Sequence, residues 1–188
     1  QAAGAVNTLQ FSGDEIIGDN TDGPGLVADI VRNAGVALAG KRVLLLGAGG
    51  AARGVMLPIL QQGPQEIVVA NRTVATAEAL AAQFGGHGGT VTACGFAEVQ
   101  GAFDVVINAT SASLADDLPP VPASVFRQGT LALDMMYAKK PTRFMEFAAA
   151  HGASTRDGLG MLVEQAAEAF AIWRGVRPET AELLAAMR

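Results

Sequence analysis

Residues 43–54 read Val43-Leu44-Leu45-Leu46-Gly47-Ala48-Gly49-Gly50-Ala51-Ala52-Arg53-Gly54. A run of four apolar residues is typical of a strand buried on both faces, and the residues after the turn follow a helical pattern. Within the turn, Gly47, Gly49 and Ala52 have the G-x-G-x-x-G/A spacing, which lets the backbone approach a pyrophosphate at a helix N-terminus. The stretch therefore predicts a dinucleotide site. The alternative is a plain strand-to-helix turn, which does not need so many glycines.

The rest of the chain repeats this alternation of short apolar runs with Ala-rich segments of helical period. Such alternation is typical of βαβ units and predicts an α/β fold with a Rossmann-type doubly wound parallel sheet. The predicted strands cover residues 43–46, 67–70, 91–93, 105–108 and 131–134, and the predicted helices cover 51–62, 74–84, 142–151, 161–173 and 179–187. A glycine-rich tract at 85–89 predicts a turn. The first 40 residues differ, because they predict short strands at 6–10 and 16–18 and a helix over 25–34, and we interpret them as the end of a preceding domain.

The composition excludes several classes of protein. Of the 188 residues, 50% are hydrophobic and 16% are charged, which supports a sizeable core and excludes disorder over most of the chain. The formal net charge of −5 argues against nucleic-acid binding, which needs a basic surface. Cys94 is the single cysteine and the two histidines lie far apart, so neither a disulfide nor a metal site is expected. No apolar run could span a membrane and no signal peptide is evident, so a cytoplasmic enzyme or binding domain is expected.

The residues after the second predicted strand distinguish between two dinucleotides. NAD-binding domains usually place Asp or Glu there, to accept a hydrogen bond from the ribose 2′-hydroxyl. Here the strand is followed by Asn71-Arg72-Thr73, with no carboxylate. The Arg72 guanidinium can pair with a 2′-phosphate, and Asn71 and Thr73 can donate hydrogen bonds to it. NADP is therefore favoured over NAD, and the alternative is that Arg72 only caps a surface turn.

Seven segments, in order and from end to end of the chain, resemble the shikimate dehydrogenase family. They are Ala5-Val6-Asn7-Thr8, Gly18-Asp19-Asn20-Thr21-Asp22-Gly23, the turn 47–54, Asn71-Arg72-Thr73, Asn108-Ala109-Thr110-Ser111, Asp134-Met135-Met136-Tyr137 and Asp157-Gly158-Leu159-Gly160-Met161-Leu162-Val163-Glu164-Gln165-Ala166. The resemblance implies NADPH-dependent, reversible reduction of 3-dehydroshikimate to shikimate, a small-molecule reaction of the aromatic amino-acid (chorismate) pathway. It also implies a remnant of a substrate-binding domain at 1–22, an NADP-binding domain at 23–160, and C-terminal helices at 161–188 that pack back towards the substrate domain. Monomer and homodimer both stay open.

The resemblance also implies roles for individual residues. Asp22 is expected to be the catalytic carboxylate beside the reacting hydroxyl, while the substrate contacts are Asn7, Tyr137 and Gln165. The expected cofactor contacts are Gly47, Ala48, Gly49, Gly50 and Ala51 on the pyrophosphate, Asn71, Arg72 and Thr73 on the ribose phosphate, and Met135 and Gly158 beside the nicotinamide. Amide and hydroxyl groups suit a polyol, because they both donate and accept hydrogen bonds, and hydride transfer to a ketone needs a proton for the oxygen. Three of these roles have a structural alternative: Asp22 as a helix cap, and Tyr137 and Gln165 as packing residues.

The chain departs from the family's pattern in three places. The family usually has a second arginine where this chain has Thr76, which is expected to weaken phosphate binding. In Thr110-Ser111-Ala112-Ser113-Leu114 a serine stands where glycine is common, which is expected to stiffen the loop near the nicotinamide. The family's catalytic lysine, which pairs with the aspartate, lies upstream of the motif around Asn7, and no lysine precedes Asn7 here.

From the missing lysine we expect a chain that lacks most of the N-terminal substrate domain, binds NADPH and oxidises shikimate negligibly. Two alternatives remain open. One is a non-catalytic NADP-binding module, which completes a site with another chain or acts as a sensor. The other is a quinate/shikimate dehydrogenase paralogue that uses NAD.

Overall fold

Six parallel strands form one sheet in the computed structural model, which describes residues 4–87 and 89–188. The strands are β3 (Arg42–Leu46), β4 (Glu66–Ala70), β5 (Thr90–Cys94), β6 (Val105–Asn108), β7 (Leu131–Asp134) and β8 (Ser154–Arg156). Their spatial order is β5-β4-β3-β6-β7-β8, and every neighbouring pair is parallel. The order reverses between β3 and β6, which creates the crevice where open α/β sheets bind ligands. The predicted Rossmann-type α/β fold is confirmed.

Helices cover both faces of this sheet. They are α1 (Asp22–Ala28), which continues into a π-helical turn (Asp29–Asn33), α2 (Gly50–Leu60), α3 (Val74–Phe84), α4 (Arg143–Ala150), α5 (Leu159–Arg174) and α6 (Ala181–Met187). Short 3₁₀ turns lie at Phe96–Glu98, Ala112–Ala115 and Ala123–Val125. Within residues 4–87 and 89–188, no helix is long and apolar enough to cross a bilayer.

The strand β3 shows how the sequence builds a two-faced core. Val43 and Leu45 pack in the cluster under α1, α2 and α3, whereas Leu44 and Leu46 pack in the cluster under α4. All four side chains are fully buried. Because successive side chains of a strand point to opposite faces, a continuous apolar run is what a strand with both faces covered requires.

A separate two-stranded hairpin precedes the sheet. Its strands β1 (Thr8–Ser12) and β2 (Glu15–Asp19) are antiparallel and pair Ser12 with Glu15 across a two-residue turn. The hairpin is connected to the C-terminal part of the chain through Trp173 of α5, whose Nε1 donates to the Leu9 carbonyl oxygen at 2.9 Å.

The predicted elements match the structure in type, with several corrections to their bounds. The predicted strands at 6–10 and 16–18 lie instead at Thr8–Ser12 and Glu15–Asp19, because Gly13, with φ of +59°, places the tight turn after Ser12. The helix predicted over 25–34 begins at Asp22, and its last turn is π-helical. The helix predicted over 142–151 begins at Arg143, because the Thr142 side chain caps it by accepting from the Met145 N–H.

Smaller corrections apply to three other helices and one strand. The helices predicted over 51–62, 161–173 and 179–187 occupy Gly50–Leu60, Leu159–Arg174 and Ala181–Met187. The strand β8 was not predicted, since its three residues Ser-Thr-Arg carry no apolar run. Residues 1–3 of the predicted segment 1–22, and Gly88 of the predicted turn 85–89, lie outside the described residues.

Candidate active site

The turn between β3 and α2 faces a cavity of about 580 Å³ at the carboxyl ends of the central strands. Its lining includes all five residues predicted to hold a pyrophosphate, Gly47, Ala48, Gly49, Gly50 and Ala51. Gly47 has φ of +101°, and a Cβ there would lie 3.1 Å from the Ala109 carbonyl oxygen, so the turn requires glycine. The backbone is held in place because Gly47 N donates to Ala70 O at 2.8 Å.

The helix end at this turn is open. Gly49 is the N-cap of α2 and provides no side-chain capping hydrogen bond, and no atom lies within 4 Å of a Cβ built on Gly49 or Gly50. The first N–H groups of a helix have no partner within the helix, and they carry the positive end of its dipole. An open helix N-terminus beneath a cavity fits the diphosphate of a dinucleotide, as the turn chemistry predicted.

The adjoining strand end contributes an unpaired guanidinium. Asn71 and Arg72 line the same cavity, and Asn71 is fixed by its N–H to the Cys94 carbonyl and by its side chain to the Thr73 carbonyl, at 3.1 and 2.9 Å. Arg72 is exposed and makes no ion pair or hydrogen bond within residues 4–87 and 89–188. It therefore does not cap the turn in the described structure, and its charge is available to an anion. Thr73 lies outside the cavity lining.

A second group of polar residues forms where the hairpin meets α1. Asn7 Nδ2 donates to Asp22 Oδ1 at 2.8 Å, and Thr21 N donates to Asn7 Oδ1 at 2.9 Å. The Thr21 hydroxyl also donates to Gln165 Oε1 at 3.1 Å. The structure thus brings together Asn7, Asp22 and Gln165, which lie far apart in the sequence. The close approach of α1 to α5 permits this, because a Cβ on Gly25 would lie 2.6 Å from Gln165 N.

The surroundings of Asp22 bear on its predicted role. Asp22 is the first residue of α1, after the N-cap Thr21, and its side chain is bonded to Asn7 rather than to the helix backbone. The alternative of a helix cap is therefore wrong. The carboxylate is half-buried and has no ion-pair partner in the part of the chain that the structure describes.

The two predicted nicotinamide contacts, Met135 and Gly158, lie together where β7 ends and α5 begins. Met135 follows β7, and Gly158, the N-cap of α5, lies against the Met135 carbonyl and donates its N–H to Met136 O at 2.9 Å. Tyr137 continues the same loop with 52% of its surface exposed. No hydrogen bond within the described residues joins Tyr137 to the Asn7–Asp22 cluster.

Three residues of the site were not predicted. Thr21 links Asn7 to Gln165, and Phe96 lines the same cavity as Arg72. Asn20 accepts from Asp22 N, donates to the Ala5 carbonyl and lies against Gly54 of α2, so it joins the polar cluster to the helix that begins at the cavity. Thr21 and Asn20 lie in a quoted motif, and Phe96 follows the end of a predicted strand, which is the signal that could have indicated it.

Within residues 4–87 and 89–188, no group of three or more His, Cys, Asp or Glu side chains is arranged to hold a metal ion. At the end of β5, burial and the neighbouring Glu98 carboxylate raise the pKa of the Cys94 thiol.

These features define the class of the protein: a glycine-rich turn, an open helix N-terminus and an unpaired guanidinium belong to a dinucleotide-binding α/β domain. Comparison with known proteins specifies the family. The family model described as "Shikimate / quinate 5-dehydrogenase" matches residues 29–115, and "Shikimate 5'-dehydrogenase C-terminal domain" matches residues 158–188. The shikimate dehydrogenase (NADP(+)) of Janthinobacterium sp. (strain Marseille) is 61% identical over 188 residues, which are 100% of this chain and 68% of that relative. The chain belongs to the shikimate dehydrogenase family.

Solved structures agree with this assignment. An Ael1 enzyme from Pseudomonas putida is 49% identical, with a TM-score of 0.91 over 97% of this chain and 68% of that one. A shikimate 5-dehydrogenase from Thermus thermophilus, solved with NADP(H) and shikimate, is 34% identical, with a TM-score of 0.81 over 98% of this chain and 68% of that one.

Proposed function

We propose that the protein catalyses the NADP-dependent, reversible interconversion of shikimate and 3-dehydroshikimate. The observation that carries the proposal is the hydrogen-bonded cluster of Asn7, Asp22 and Gln165, connected through Asn20 to the helix that begins at the dinucleotide cavity. A relative 61% identical over the whole chain is named for this activity and this cofactor. The reaction is inferred from the family, and the cluster contains residues that are able to catalyse it.

The residues of the cluster suit the proton chemistry of an alcohol and its ketone. NADP, when bound, supplies or accepts the hydride. In the direction of oxidation, Asp22 takes the proton of the reacting hydroxyl, and in reduction it returns a proton to the oxygen. Asn7 donates to one oxygen of this carboxylate and fixes its orientation, leaving the other oxygen for the substrate. Gln165 and Tyr137 bind the remaining hydroxyls, since an amide and a phenol both donate and accept.

The cavity residues suit NADP. The pyrophosphate would lie on the turn from Gly47 to Ala51, where backbone N–H groups face it. The 2′-phosphate would pair with Arg72, with Asn71 and Thr73 beside it, since a free guanidinium and no carboxylate stand at this strand end. Met135 and Gly158 would flank the nicotinamide. We divide the chain accordingly into a substrate-side segment 1–22, an NADP-binding domain 23–160 and C-terminal helices 161–188.

We further propose that the 188 residues by themselves bind NADPH but oxidise shikimate negligibly. In the described residues no cation contacts Asp22, whereas the family resemblance implies a lysine at that carboxylate. Without a neighbouring cation, the charge that develops during proton transfer is poorly stabilised. Measurable shikimate-dependent NADPH formation by the purified 188-residue chain would contradict this proposal.

The activity itself is tested with protein expressed from its full coding sequence. Shikimate and quinate are each offered with NADP and with NAD, and reduced cofactor is measured. We expect the largest kcat/KM for shikimate with NADP. Absence of turnover, with NADP binding retained, would favour a non-catalytic NADP-binding module, and preference for NAD would favour the quinate/shikimate paralogue.

A further inference from the structure

A carboxylate with no ionic partner is buried at the end of β7. Asp134 is fully buried, and it has no ion pair among the residues that the structure describes. Its Oδ2 accepts from the hydroxyls of Ser113 and Thr142, each at 2.6 Å, and from Asn108 Nδ2 at 3.3 Å. Its Oδ1 accepts from Met136 N at 3.0 Å. Four donors thus satisfy a group whose burial would otherwise be costly.

The four donors belong to different segments, one of which contributes residues to the wall of the dinucleotide cavity. Ser113 lies in the 3₁₀ turn Ala112–Ala115, whose two end residues both line the cavity. Met136 belongs to the loop after β7, next to Met135, and Thr142 is the N-cap of α4. One buried carboxylate therefore fixes the cavity wall, the loop on the proposed nicotinamide side and the start of a helix relative to each other.

A second set of hydrogen bonds, which runs from Asp134 through Asn108, holds the cavity wall in place. Asn108 donates to Asp134 and to the Ser113 hydroxyl at 3.2 Å, and its Oδ1 accepts from the N–H and the hydroxyl of Thr110 at 3.1 and 2.7 Å. The Thr110 hydroxyl then accepts from Ala112 N at 3.2 Å. Since Ala109, Thr110 and Ala112 line the cavity, the shape of this wall depends on the polar chain behind it.

We propose that Asp134 is a positioning residue for the cofactor, and that the Ser113 hydroxyl is the tether through which it holds the wall at 109–120 in its binding conformation. This inference rests on the proposed function insofar as the cavity takes NADP. Buried charges stabilise a fold less reliably than apolar residues do, whereas they can fix a particular arrangement of segments. Loss of the tether should therefore affect cofactor affinity and local exchange more than global stability.

The test compares Ser113→Ala with Ser113→Thr, which keeps the hydroxyl, and with Leu114→Ala in the same turn. Leu114 is 70% exposed and does not line the cavity. NADP affinity is measured by calorimetric titration, and backbone hydrogen exchange is followed by mass spectrometry over 109–120 and over the central strands. For Ser113→Ala we expect a Kd for NADP raised about 3- to 10-fold, the range that one lost hydrogen bond predicts. We also expect faster exchange confined to 109–120, and near-wild-type values for the other two variants.

Several results would overturn the inference. One is wild-type affinity and exchange in Ser113→Ala, and another is equal weakening by Ser113→Ala, Ser113→Thr and Leu114→Ala. If the wild-type protein does not bind NADP, the proposed function is wrong. Backbone hydrogen exchange over 109–120 then decides by itself whether Ser113 tethers the wall. Asp134→Asn provides a second variant. It leaves the donors of Ser113 and Thr142 facing an amide, and it should accelerate exchange in 109–120 and at the start of α4 together.

Discussion

At the scale of single residues, the site depends on where charge is left unpaired. Arg72 and Asp22 are both accessible groups without an ion-pair partner within residues 4–87 and 89–188, whereas Asp29 and Glu164 are buried and bonded to arginines. The two paired carboxylates join separate elements of the fold, whereas the charges of Arg72 and Asp22 are available to ligands. The short motifs around Arg72 and Asp22 could be identified from the sequence. The bond from Asn7 to Asp22 could not, because it joins residues that only the tertiary structure brings together.

The first prediction concerns Arg72. Replacing it with alanine removes the guanidinium that pairs with the 2′-phosphate, so the Kd for NADP should rise by about 10- to 100-fold, while the Kd for NAD changes little. Calorimetric titration of both dinucleotides measures this, with Arg174→Ala, an exposed arginine at the end of α5, as the matched control. Equal weakening of both dinucleotides would show that Arg72 does not bind the 2′-phosphate.

The second prediction concerns the thiol of Cys94. Burial and the Glu98 carboxylate raise its pKa, so at pH 8 the thiolate fraction is smaller than that of a free cysteine. Alkylation by iodoacetamide should therefore be slow, and Glu98→Gln should accelerate it by lowering the pKa. A rate equal to that of a small free thiol, or no acceleration in Glu98→Gln, would be inconsistent with this explanation.

At the scale of elements, the central strands β3, β6 and β7 were predictable because burial on both faces leaves an apolar run in the sequence. The π-helical turn Asp29–Asn33 and the strand β8 were not, since tertiary contacts determine them. Asp29 accepts from Nε and Nη2 of Arg156, at 3.1 and 2.6 Å, which joins the turn to β8. Asn33 donates to Asp29 and to Glu164 of α5, each at 3.0 Å. No local pattern carries this information.

The third prediction follows from this network. Burial raises the pKa of Glu164, but hydrogen bonds from Asn33, Arg177 and Thr180 and the Arg177 charge outweigh it, so the net pKa lies below its ordinary value of 4.5. A lowered folded-state pKa adds stability that is present above pH 4.5 and is lost as the pH falls through the folded-state pKa. Glu164→Gln should therefore lower the free energy of unfolding by about 1–3 kcal/mol at pH 7 and by less in acid, since Arg177 keeps its bond to Glu168.

Urea denaturation at a series of pH values from 7 down to below 4.5 measures the free energy of unfolding of both proteins. Glu182→Gln, at an exposed acidic residue of α6, serves as the control and should reproduce the wild-type dependence. If the free energy of unfolding of Glu164→Gln falls as steeply with decreasing pH as that of the wild type, other carboxylates cause the loss of stability in acid.

At the scale of the whole molecule, the α/β class and the dinucleotide site could be predicted from the turn 47–54 together with the alternating pattern around it. The position of the hairpin could not, because the hydrogen bond from Trp173 to the Leu9 carbonyl oxygen joins residues that lie 164 positions apart in the sequence. Likewise, the hydrogen bond from Thr21 to Gln165 depends on the packing of α1 against α5.

The fourth prediction concerns stability in the presence of ligand. A ligand that binds only the folded state adds about 2.7 kcal/mol at a concentration of 100 Kd, which for a chain of this length raises the Tm by about 5–10 °C. NADP should produce this shift at a lower concentration than NAD. Thermal denaturation at matched concentrations measures it, and an equal or larger shift with NAD would contradict the proposed cofactor preference.

The most direct test of the proposed mechanism is the effect of Asp22→Asn on protein expressed from its full coding sequence. If Asp22 moves the proton of the reacting hydroxyl, kcat for shikimate oxidation should fall by about 100-fold or more, while the Kd for NADP stays at its wild-type value. A kcat within a few-fold of wild type, with binding intact, would contradict the role given to Asp22 and with it the proposed mechanism.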